Sequence, residues 1–421
     1  MEAIINYKYY FQSPLSPKVA YVNAPKALVE ERIDHKGGHK MDVKIAENSS
    51  SWTTHWFMLG DDSKIYLDKS FLDGLIRKAI QKAGSQRALN KKLSELGEPF
   101  DQAKIYRLKK GEYKGLNIRK VKALLSFLSV PYDSINPSIL AVGGRQSVKN
   151  VRFPINLNCA AGGKLIAAAL SDGGIYLNNL KQRKLVFHYY NKDEDLVKQV
   201  IKSVQDLMGD VHYSYKNNIL SFSSKIIPDI LTRTNTAIGR KTLMDSHLPS
   251  VIRYGKPETV MGYFRQVFAD EGSVWVGAIE YKRAINLSRF LMDEHLDELN
   301  KLDWKEKGVL IKGTKWRCVA YTKKLEENIS DNLRNLIWSY PPKLLEEEKS
   351  KLEETYGIKA VIRPREINKT KHGYTVVWGS QIFRRNDIKI FAEKIGFGCK
   401  RKQGKLDDML KQWDDKTSSE N

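Results

Sequence analysis

Two apolar segments of this chain each end on an acidic residue followed by glycine, and this repeated feature constrains the fold more than any other. The first segment, Leu165–Gly173, has no polar side chain before Ser171 and Asp172. The second, Tyr263–Gly272, ends on Glu271. A glycine after each acid permits a sharp turn out of a helix, and aliphatic residues follow in both places. The sequence therefore predicts two helices, each passing directly into a strand.

Small side chains in the first segment predict that the two helices pack closely. Ala167–Ala169 would let two helix backbones approach each other, which would bring Asp172 and Glu271 together. A carboxylate at a helix C-terminus lies at the negative end of the helix dipole, so a nearby cation would offset an electrostatic cost. Carboxylate oxygens suit Mg²⁺ (or Mn²⁺). We therefore predict a divalent-cation site at Asp172 and Glu271, beside Gly173 and Gly272.

The charge of the chain predicts a polyanionic partner. The 421 residues carry a formal net charge of +22, and a folded protein this basic usually meets nucleic acid. An anionic membrane surface is the alternative on charge alone. The three cysteines are far apart, which argues against a disulfide framework or a zinc ribbon. Because no apolar run approaches 18 residues, we expect a cytoplasmic protein that spans no membrane.

Residues 69–135 have the helical periodicity of a small DNA-binding domain. Breaks at glycine and proline predict helices at about 72–82, 86–96, 100–108 and 118–128, with Ser85 as an N-cap. This region resembles the helix-turn-helix domains of phage-repressor type, in which the recognition helix enters the major groove. A plain helix bundle with a solvated basic face is the alternative. The resemblance implies base or phosphate contacts from Gln102, Lys104, Arg107 and Lys109.

The rest of the chain divides into two similar parts. Residues 1–68 give no indication of a role, and residues 136–150 are rich in Pro, Gly and Ser, which predicts a linker. Strands and helices then alternate in an order that repeats, which predicts half-domains at 151–255 and 256–415. The predicted fold class is α+β: two pseudo-symmetric αββαββα half-domains with antiparallel, saddle-shaped sheets, preceded by an all-α helix-turn-helix domain.

Four segments together resemble the single-chain LAGLIDADG homing endonuclease family. "LIAAALSDG" and "YFRQVFADEGSV" resemble its two motif copies, although Leu170 stands where the pattern has an acid. "TAIGRKTLMDSHLPSVI" and "IGFGCKRKQGKL" resemble the flanking blocks. The resemblance implies that Asp172 and Glu271 bind the metal, and that Lys241, Lys400 or Lys402 assists catalysis. Asp270, adjacent to Glu271, is interpreted as a solvated neighbour.

The resemblance implies an enzyme that makes a site-specific double-strand break in DNA by metal-dependent phosphodiester hydrolysis. The expected partner of this monomer is double-stranded DNA with a long specific site. Two alternatives stay open: a non-cleaving, sequence-specific transcription regulator on the same scaffold, and an RNA maturase. The strands that would contact DNA carry the candidate contact residues Asn178, Lys181, Gln182, Arg183, Tyr281, Lys282 and Arg283.

Overall fold

The computed structural model describes residues 30–33, 39–42, 52–100, 102–109, 115–144, 147–177, 185–234, 236, 238–239, 246–277, 283–293, 311–312, 317–321, 323–339, 341–370 and 373–419. The chain forms two compact units, residues 1–52 and 53–421. In the first unit, strands β1 (Glu30–Ile33) and β2 (His39–Asp42) form an antiparallel hairpin. No helix among the described residues has the length and apolar character needed to cross a membrane.

The second unit begins with a small mixed domain. The Ser85 hydroxyl caps its second helix by accepting from Ala88 N at 3.1 Å, as predicted. The strand order β5-β4-β6-β7 forms one antiparallel sheet, and β3 pairs with β8. The elements are β3 (Thr53–Thr54), β4 (Lys64–Leu67), α1 (Lys69–Ala83), α2 (Gln86–Glu95), α3 (Gln102–Lys109), β5 (Leu116–Asn117), α4 (Ile118–Leu128), β6 (Ile139–Gly143), β7 (Val148–Lys149) and β8 (Ile155–Asn156).

Two expectations about this region are wrong. The helical domain is not all-α, because β4 and β5 pair beside its helices. Residues 136–150 are not a structureless linker, because they contain β6 and β7. The Pro and Gly content suggested a linker, but the buried side chains of Ile139, Ala141 and Val142 give this segment a core face on the sheet. Such a short strand has too few residues to show a periodic pattern.

The next region contains the first of the acid-ended helices. Its strands form an antiparallel four-stranded sheet in the order β11-β12-β10-β9. Aliphatic and aromatic residues such as Phe187, Leu220 and Phe222 fill the space between this sheet and the helices. The elements are α5 (Ala160–Leu170), β9 (Gly173–Leu177), β10 (Leu185–Tyr190), α6 (Glu194–Met208), β11 (Tyr213–Lys216), β12 (Ile219–Phe222), α7 (Ile226–Arg233) and α8 (Ser250–Arg253).

The last region contains the second acid-ended helix and a larger antiparallel sheet. Its six strands have the order β13-β14-β18-β17-β16-β15. The elements are α9 (Pro257–Glu271), β13 (Gly272–Val276), β14 (Arg283–Asp293), β15 (Ile311–Lys312), β16 (Arg317–Ala320), α10 (Lys323–Asn328), α11 (Asp331–Ser339), α12 (Lys343–Tyr356), β17 (Val361–Thr370), β18 (Gly373–Ile382), α13 (Arg385–Lys394) and α14 (Lys400–Ser419). The protein thus has a mixed α/β fold with several antiparallel sheets.

Helices α5 and α9 pack against each other at backbone contact. A Cβ atom placed on Gly163 would lie 2.0 Å from the carbonyl oxygen of Thr259, and one on Gly262 would lie 2.3 Å from that of Ala160. Glycine is therefore required on both helices where they cross. This close approach sets the separation of the two helix ends.

We expect Gly163→Ala to destabilise the protein by about 2–3 kcal/mol or more, because the added methyl group overlaps the Thr259 carbonyl in a tightly packed interface. Thermal or denaturant unfolding measures this loss. The matched control is Gly74→Ala in α1, where nothing lies within 4 Å of the added Cβ. That change should stabilise by up to about 1 kcal/mol through helix propensity. Equal effects of the two substitutions would contradict the packing described here.

Candidate functional site

The C-terminal ends of α5 and α9 meet. Ser171, which follows α5, shares a short hydrogen bond with the carboxyl group of Asp270 on α9. The Nη1 of Arg289 donates to the carbonyl oxygen of Leu170 at 3.2 Å and to the Oε1 of Glu271 at 3.0 Å. One guanidinium nitrogen therefore joins the end of the first helix to the terminal acid of the second.

Asp172 belongs to a hydrogen-bonded chain that runs between the two helix ends. Its Oδ2 accepts from the side-chain amide of Asn191 at 2.8 Å, and the same amide nitrogen lies 3.1 Å from the hydroxyl of Tyr189. Tyr189 in turn donates to the Oδ1 of Asp270 at 2.6 Å. Asp172 is half-buried, so its carboxylate is held in place while it still meets solvent.

Asp270 is not a solvated neighbour of Glu271, and that interpretation is wrong. The residue is half-buried, and its carboxyl group accepts from Tyr189 and from Gln266 Nε2, the latter at 2.9 Å. Burial raises the pKa of Asp270 from 3.8 to about 7, with a further rise from the charge of Asp172, whereas hydrogen bonds from Ser171 and Tyr189 lower it. Residues adjacent on a helix do point in different directions, but here the side chain of Asp270 points towards the end of α5 and not towards solvent.

Hydrogen-bond counting around Ser171 agrees with a protonated Asp270. The Ser171 hydroxyl has one hydrogen, yet both the carbonyl oxygen of Ala167, at 2.7 Å, and the Asp270 carboxyl lie within bonding distance. A proton on Asp270 can be donated to the Ser171 oxygen, which leaves the hydroxyl hydrogen for Ala167. Both contacts of the Ser171 hydroxyl are then hydrogen bonds.

We expect Asp270→Asn to flatten the dependence of stability on pH between about 4 and 7. The folded-state pKa of Asp270 lies above its unfolded value, so the folded protein binds more protons in this window and stability falls as pH rises through it. Asparagine keeps the hydrogen bonds and cannot ionise. Urea unfolding at several pH values measures the effect, with Asp206→Asn on the exposed face of α6 as the control. An unchanged slope in Asp270→Asn would contradict the shifted pKa.

Glu271 belongs to a buried ion-pair network that the sequence did not reveal. Besides bonding Glu271, Arg289 contacts Glu348 through Nη2–Oε1 at 2.5 Å and Nε–Oε2 at 3.2 Å. Glu348 is fully buried and also accepts from the hydroxyl of Tyr263 at 2.7 Å. The two acids hold the pKa of Arg289 well above its usual range despite burial. The arginine is therefore permanently charged beneath the helix ends.

Lys402 is bound to the backbone of α9. Its Nζ donates to the carbonyl oxygens of Ala269 at 2.5 Å, Asp270 at 3.0 Å and Phe268 at 3.3 Å. Burial lowers the pKa of this amine. This is the position of a helix C-terminal cap, and the three bonds described for Lys402 go to backbone oxygens of α9 rather than to carboxyl groups. Lys400 is exposed on the first turn of α14, and Lys241 lies outside the described residues.

Two cationic side chains of the protein offset the electrostatic cost of acids at helix C-termini, which in the sequence favoured a metal ion. Lys402 places a positive charge on the C-terminal carbonyls of α9, and Arg289 places one on Leu170 O and Glu271. These cations offset the unfavourable acids at the negative helix ends. A metal ion is therefore not required to stabilise this arrangement, and a role for metal must come from chemistry.

The donor set at the helix ends nevertheless fits Mg²⁺. Asp172 follows α5 and Glu271 ends α9, and both have hard oxygen donors; Mg²⁺ is commonly held by one or two carboxylates with water and phosphate oxygens completing the shell. Within the described part of the chain, no group of three or more His, Cys, Asp or Glu residues could hold a metal ion.

Gly173 and Gly272 begin β9 and β13, where a Cβ atom would lie 2.4 Å from Ala168 O and 2.5 Å from Phe268 O respectively.

The predicted DNA contacts have mixed outcomes. Arg107 is exposed on α3, next to Tyr106, which is 53% exposed. Arg283 is only 6% exposed, because its guanidinium stacks 4.9 Å over the ring of Trp413, so the expected open contact is wrong. Gln102, Lys104 and Lys109 belong to helix α3, and their side chains are not among the described ones. Also outside the described residues are Asn178, Lys181, Gln182, Arg183, Tyr281 and Lys282.

Comparisons with known proteins give only distant similarity. No protein-family model matches the chain, and a search of curated proteins also finds no match. I-DmoI in complex with DNA and Mn is similar with a TM-score of 0.30 and 15% identity, over 57% of this chain and 97% of that one. The homing endonuclease I-WcaI bound to its DNA recognition sequence is similar with a TM-score of 0.28 and 9% identity, over 56% of this chain and 80% of that one. Full-length DUF199/WhiA from Thermatoga maritima is similar with a TM-score of 0.29 and 12% identity, over 62% of this chain and 63% of that one. Similarity at this level does not assign the chain to a family.

Proposed function

We propose that this protein is a site-specific DNA endonuclease that makes a double-strand break by metal-dependent phosphodiester hydrolysis. The observation that carries the proposal is the convergence of Asp172, Asp270 and Glu271 where α5 and α9 end. Acids gathered in this way, one of them with a strongly raised pKa, are typical of functional sites. The net charge of +22 supports DNA as the partner.

In this proposal Asp172 and Glu271 hold Mg²⁺ (or Mn²⁺), which when bound supplies Lewis-acid activation of water and phosphate. The amide of Asn191 orients the Asp172 carboxylate, and Arg289 orients that of Glu271. The bond between Ser171 and Asp270 keeps the two helix ends together. Lys402 stabilises the end of α9 rather than the reacting phosphate, so Lys241 or Lys400 remains the candidate for charge stabilisation there.

DNA recognition is proposed to use both antiparallel sheets and the small N-terminal domain. The strand order β9-β10-β12-β11 corresponds to β13-β14-β18-β17, which supports two pseudo-symmetric half-domains on either side of the acids. The predicted contacts of the first sheet, and Tyr281 and Lys282 of the second, are proposed to contact DNA. Helix α3, with Arg107, is proposed as a recognition helix that lengthens the site bound by a monomer.

A second candidate function is a sequence-specific DNA-binding regulator that does not cleave. The ion pair between Glu271 and Arg289 favours it, because a guanidinium already neutralises the acid that would bind metal. In that case the buried charges serve structure alone, and the basic surfaces retain DNA binding.

The deciding experiment offers the full-length protein a plasmid library with randomised inserts in the presence of Mg²⁺. Sequencing of the broken ends identifies any target site and its length, and selection by binding on the same library identifies sites that are bound. Defined, metal-dependent breaks are the expected result. Specific binding without breaks would overturn the endonuclease proposal in favour of the regulator.

A further inference from the structure

A cavity of about 500 Å³ lies between the six-stranded sheet and the segment that contains α10 and α11. This segment lies between β14 and β17 and adds β15, β16, α10 and α11 to the second half, whereas the residues between β10 and β11 of the first half form α6. It therefore gives this half a feature that the first sheet does not share. Prominent in its lining are Trp275, Asn286, Arg363 and Gln381 from the strands and Glu326 and Trp338 from the helices.

Two tryptophans leave large aromatic surfaces at this cavity. Trp275 on β13 is 43% exposed, and Trp338 on α11 is 44% exposed. The Trp338 ring is held in place, because its Nε1 donates to Glu326 Oε1 at 3.0 Å and its edge packs at 6.0 Å on buried Trp378. Exposed aromatic rings that are fixed in orientation provide stacking surfaces for planar ligands.

An amide pair lies on the strands that line the cavity. Asn286 and Gln381 are directly opposite on β14 and β18, and Gln381 Nε2 donates to Asn286 Oδ1 at 2.5 Å. Asn286 is only 1% exposed, so the amide that faces the cavity is that of the half-buried Gln381, whose Oε1 is an acceptor and whose Nε2 has a second hydrogen to donate. Amide donor and acceptor pairs match the edges of nucleobases, adenine above all.

Arginine side chains add positive charge beside the aromatic surfaces. Arg363 and Arg365 both line the cavity. Arg365 lies across Gly379, where a Cβ atom would be 2.3 Å from its Cδ, and its Nη1 donates to Ser288 Oγ at 3.3 Å. A planar guanidinium group can stack on an aromatic ring, and it can bind a phosphate through two parallel hydrogen bonds. The ligand that this surface suits is planar, capable of hydrogen bonding and negatively charged.

The geometry points to a site for one unstacked nucleobase of DNA together with its phosphate. The volume falls in the range of small-ligand sites, roughly 300–1,000 Å³, and a duplex is far too large to enter it. A base that leaves the helical stack can instead insert between aromatic side chains. This inference rests on the proposed DNA binding and adds a separate contact that the acids do not make.

The test measures binding of the full-length protein to a short, fluorescein-labelled, mixed-sequence DNA strand. Anisotropy gives the affinity, and quenching of tryptophan fluorescence reports stacking of a base on indole. Trp275→Ala and Trp338→Ala are each expected to weaken binding by about tenfold and to reduce the quenching. Trp275→Phe, which keeps an aromatic ring, should retain most of the affinity. The matched control is Tyr254→Ala. Tyr254 lies just before the N-terminus of α9, and its ring is 51% exposed, so its removal should change neither signal.

Three outcomes would decide against the site. Unchanged affinity and quenching in both tryptophan variants, with thermal unfolding confirming that they are folded, overturns it. An equal loss in Tyr254→Ala means that the effect is not local, which also overturns it. Tighter binding of RNA of the same sequence overturns the assignment to DNA. Binding of the wild-type protein to the complementary duplex is measured separately, so failure of the proposed function is distinguished from failure of the cavity.

Discussion

Asp172→Asn and Glu271→Gln are each expected to lower the rate of double-strand cleavage by about a hundredfold or more, while DNA affinity stays equal or becomes slightly tighter. In the proposed mechanism each substitution removes one anionic ligand of the metal ion, and the ion that would offset the charge developing on the phosphate is then held less tightly. Neither substitution removes a positive charge that contacts DNA. Conversion of supercoiled plasmid to nicked and linear forms measures the rate, and gel-shift titration measures affinity.

The matched control for these variants is Glu194→Gln, in the exposed first turn of α6. It makes the same chemical change and should leave cleavage unaltered. If each acid serves one strand, the single variants will accumulate nicked plasmid before linear product. Full activity in both variants would show that these carboxylates do not take part in the reaction, even if the protein cleaves DNA.

Arg289→Met is expected to destabilise the protein by roughly 3–5 kcal/mol. The substitution leaves Glu348, which is fully buried, with only the hydroxyl of Tyr263 as a hydrogen-bond donor among the contacts described above. A buried carboxylate that loses its cationic partner must either stay charged at high cost or take up a proton. Denaturant unfolding at neutral pH measures the loss.

Two comparisons separate this effect from a general loss of arginine. Arg77→Met removes an exposed partner of Asp73 on α1 and should cost less than about 1 kcal/mol. The double variant Arg289→Met with Glu348→Gln should recover part of the stability, because position 348, which is fully buried, then carries no charge. A small effect of Arg289→Met by itself would show that the contacts between Arg289 and Glu348 do not stabilise the folded protein.

The local elements were largely predictable from the sequence, and the errors have physical causes. The helices around Ser85 and the turns at glycine depend on neighbouring residues, so their signals lie close together in the chain. Strands β6 and β7 were missed because both are short and because β6 pairs with β4, which is distant in the chain. The contacts of Asp270 were missed because one helix considered alone gives that position a solvent face, whereas Ser171 after α5 and Tyr189 on β10 contact it in the folded protein.

The site was predictable in part. The repeated acid and glycine motif indicated where two helix ends would meet, because close packing of small residues leaves few alternatives. Nothing in the sequence connected Arg289 or Glu348 to Glu271, since an arginine in a strand and a glutamate in an acidic helix are ordinary surface residues until the fold buries them. For the same reason the sequence offered Lys402 only as one of three candidate catalytic lysines and did not indicate that its amine binds helix carbonyls.

The sequence by itself determined the charge of the protein, its pair of acid-ended helices and most of the order of its helices and strands, because each depends on composition or on short-range spacing. Tertiary structure alone decided which charges face each other: Asp270 towards Ser171, Glu271 towards Arg289, and two tryptophans towards one cavity. Burial and pairing of charged groups depend on contacts between residues far apart in the chain. Those contacts exist only once the helices and sheets have packed.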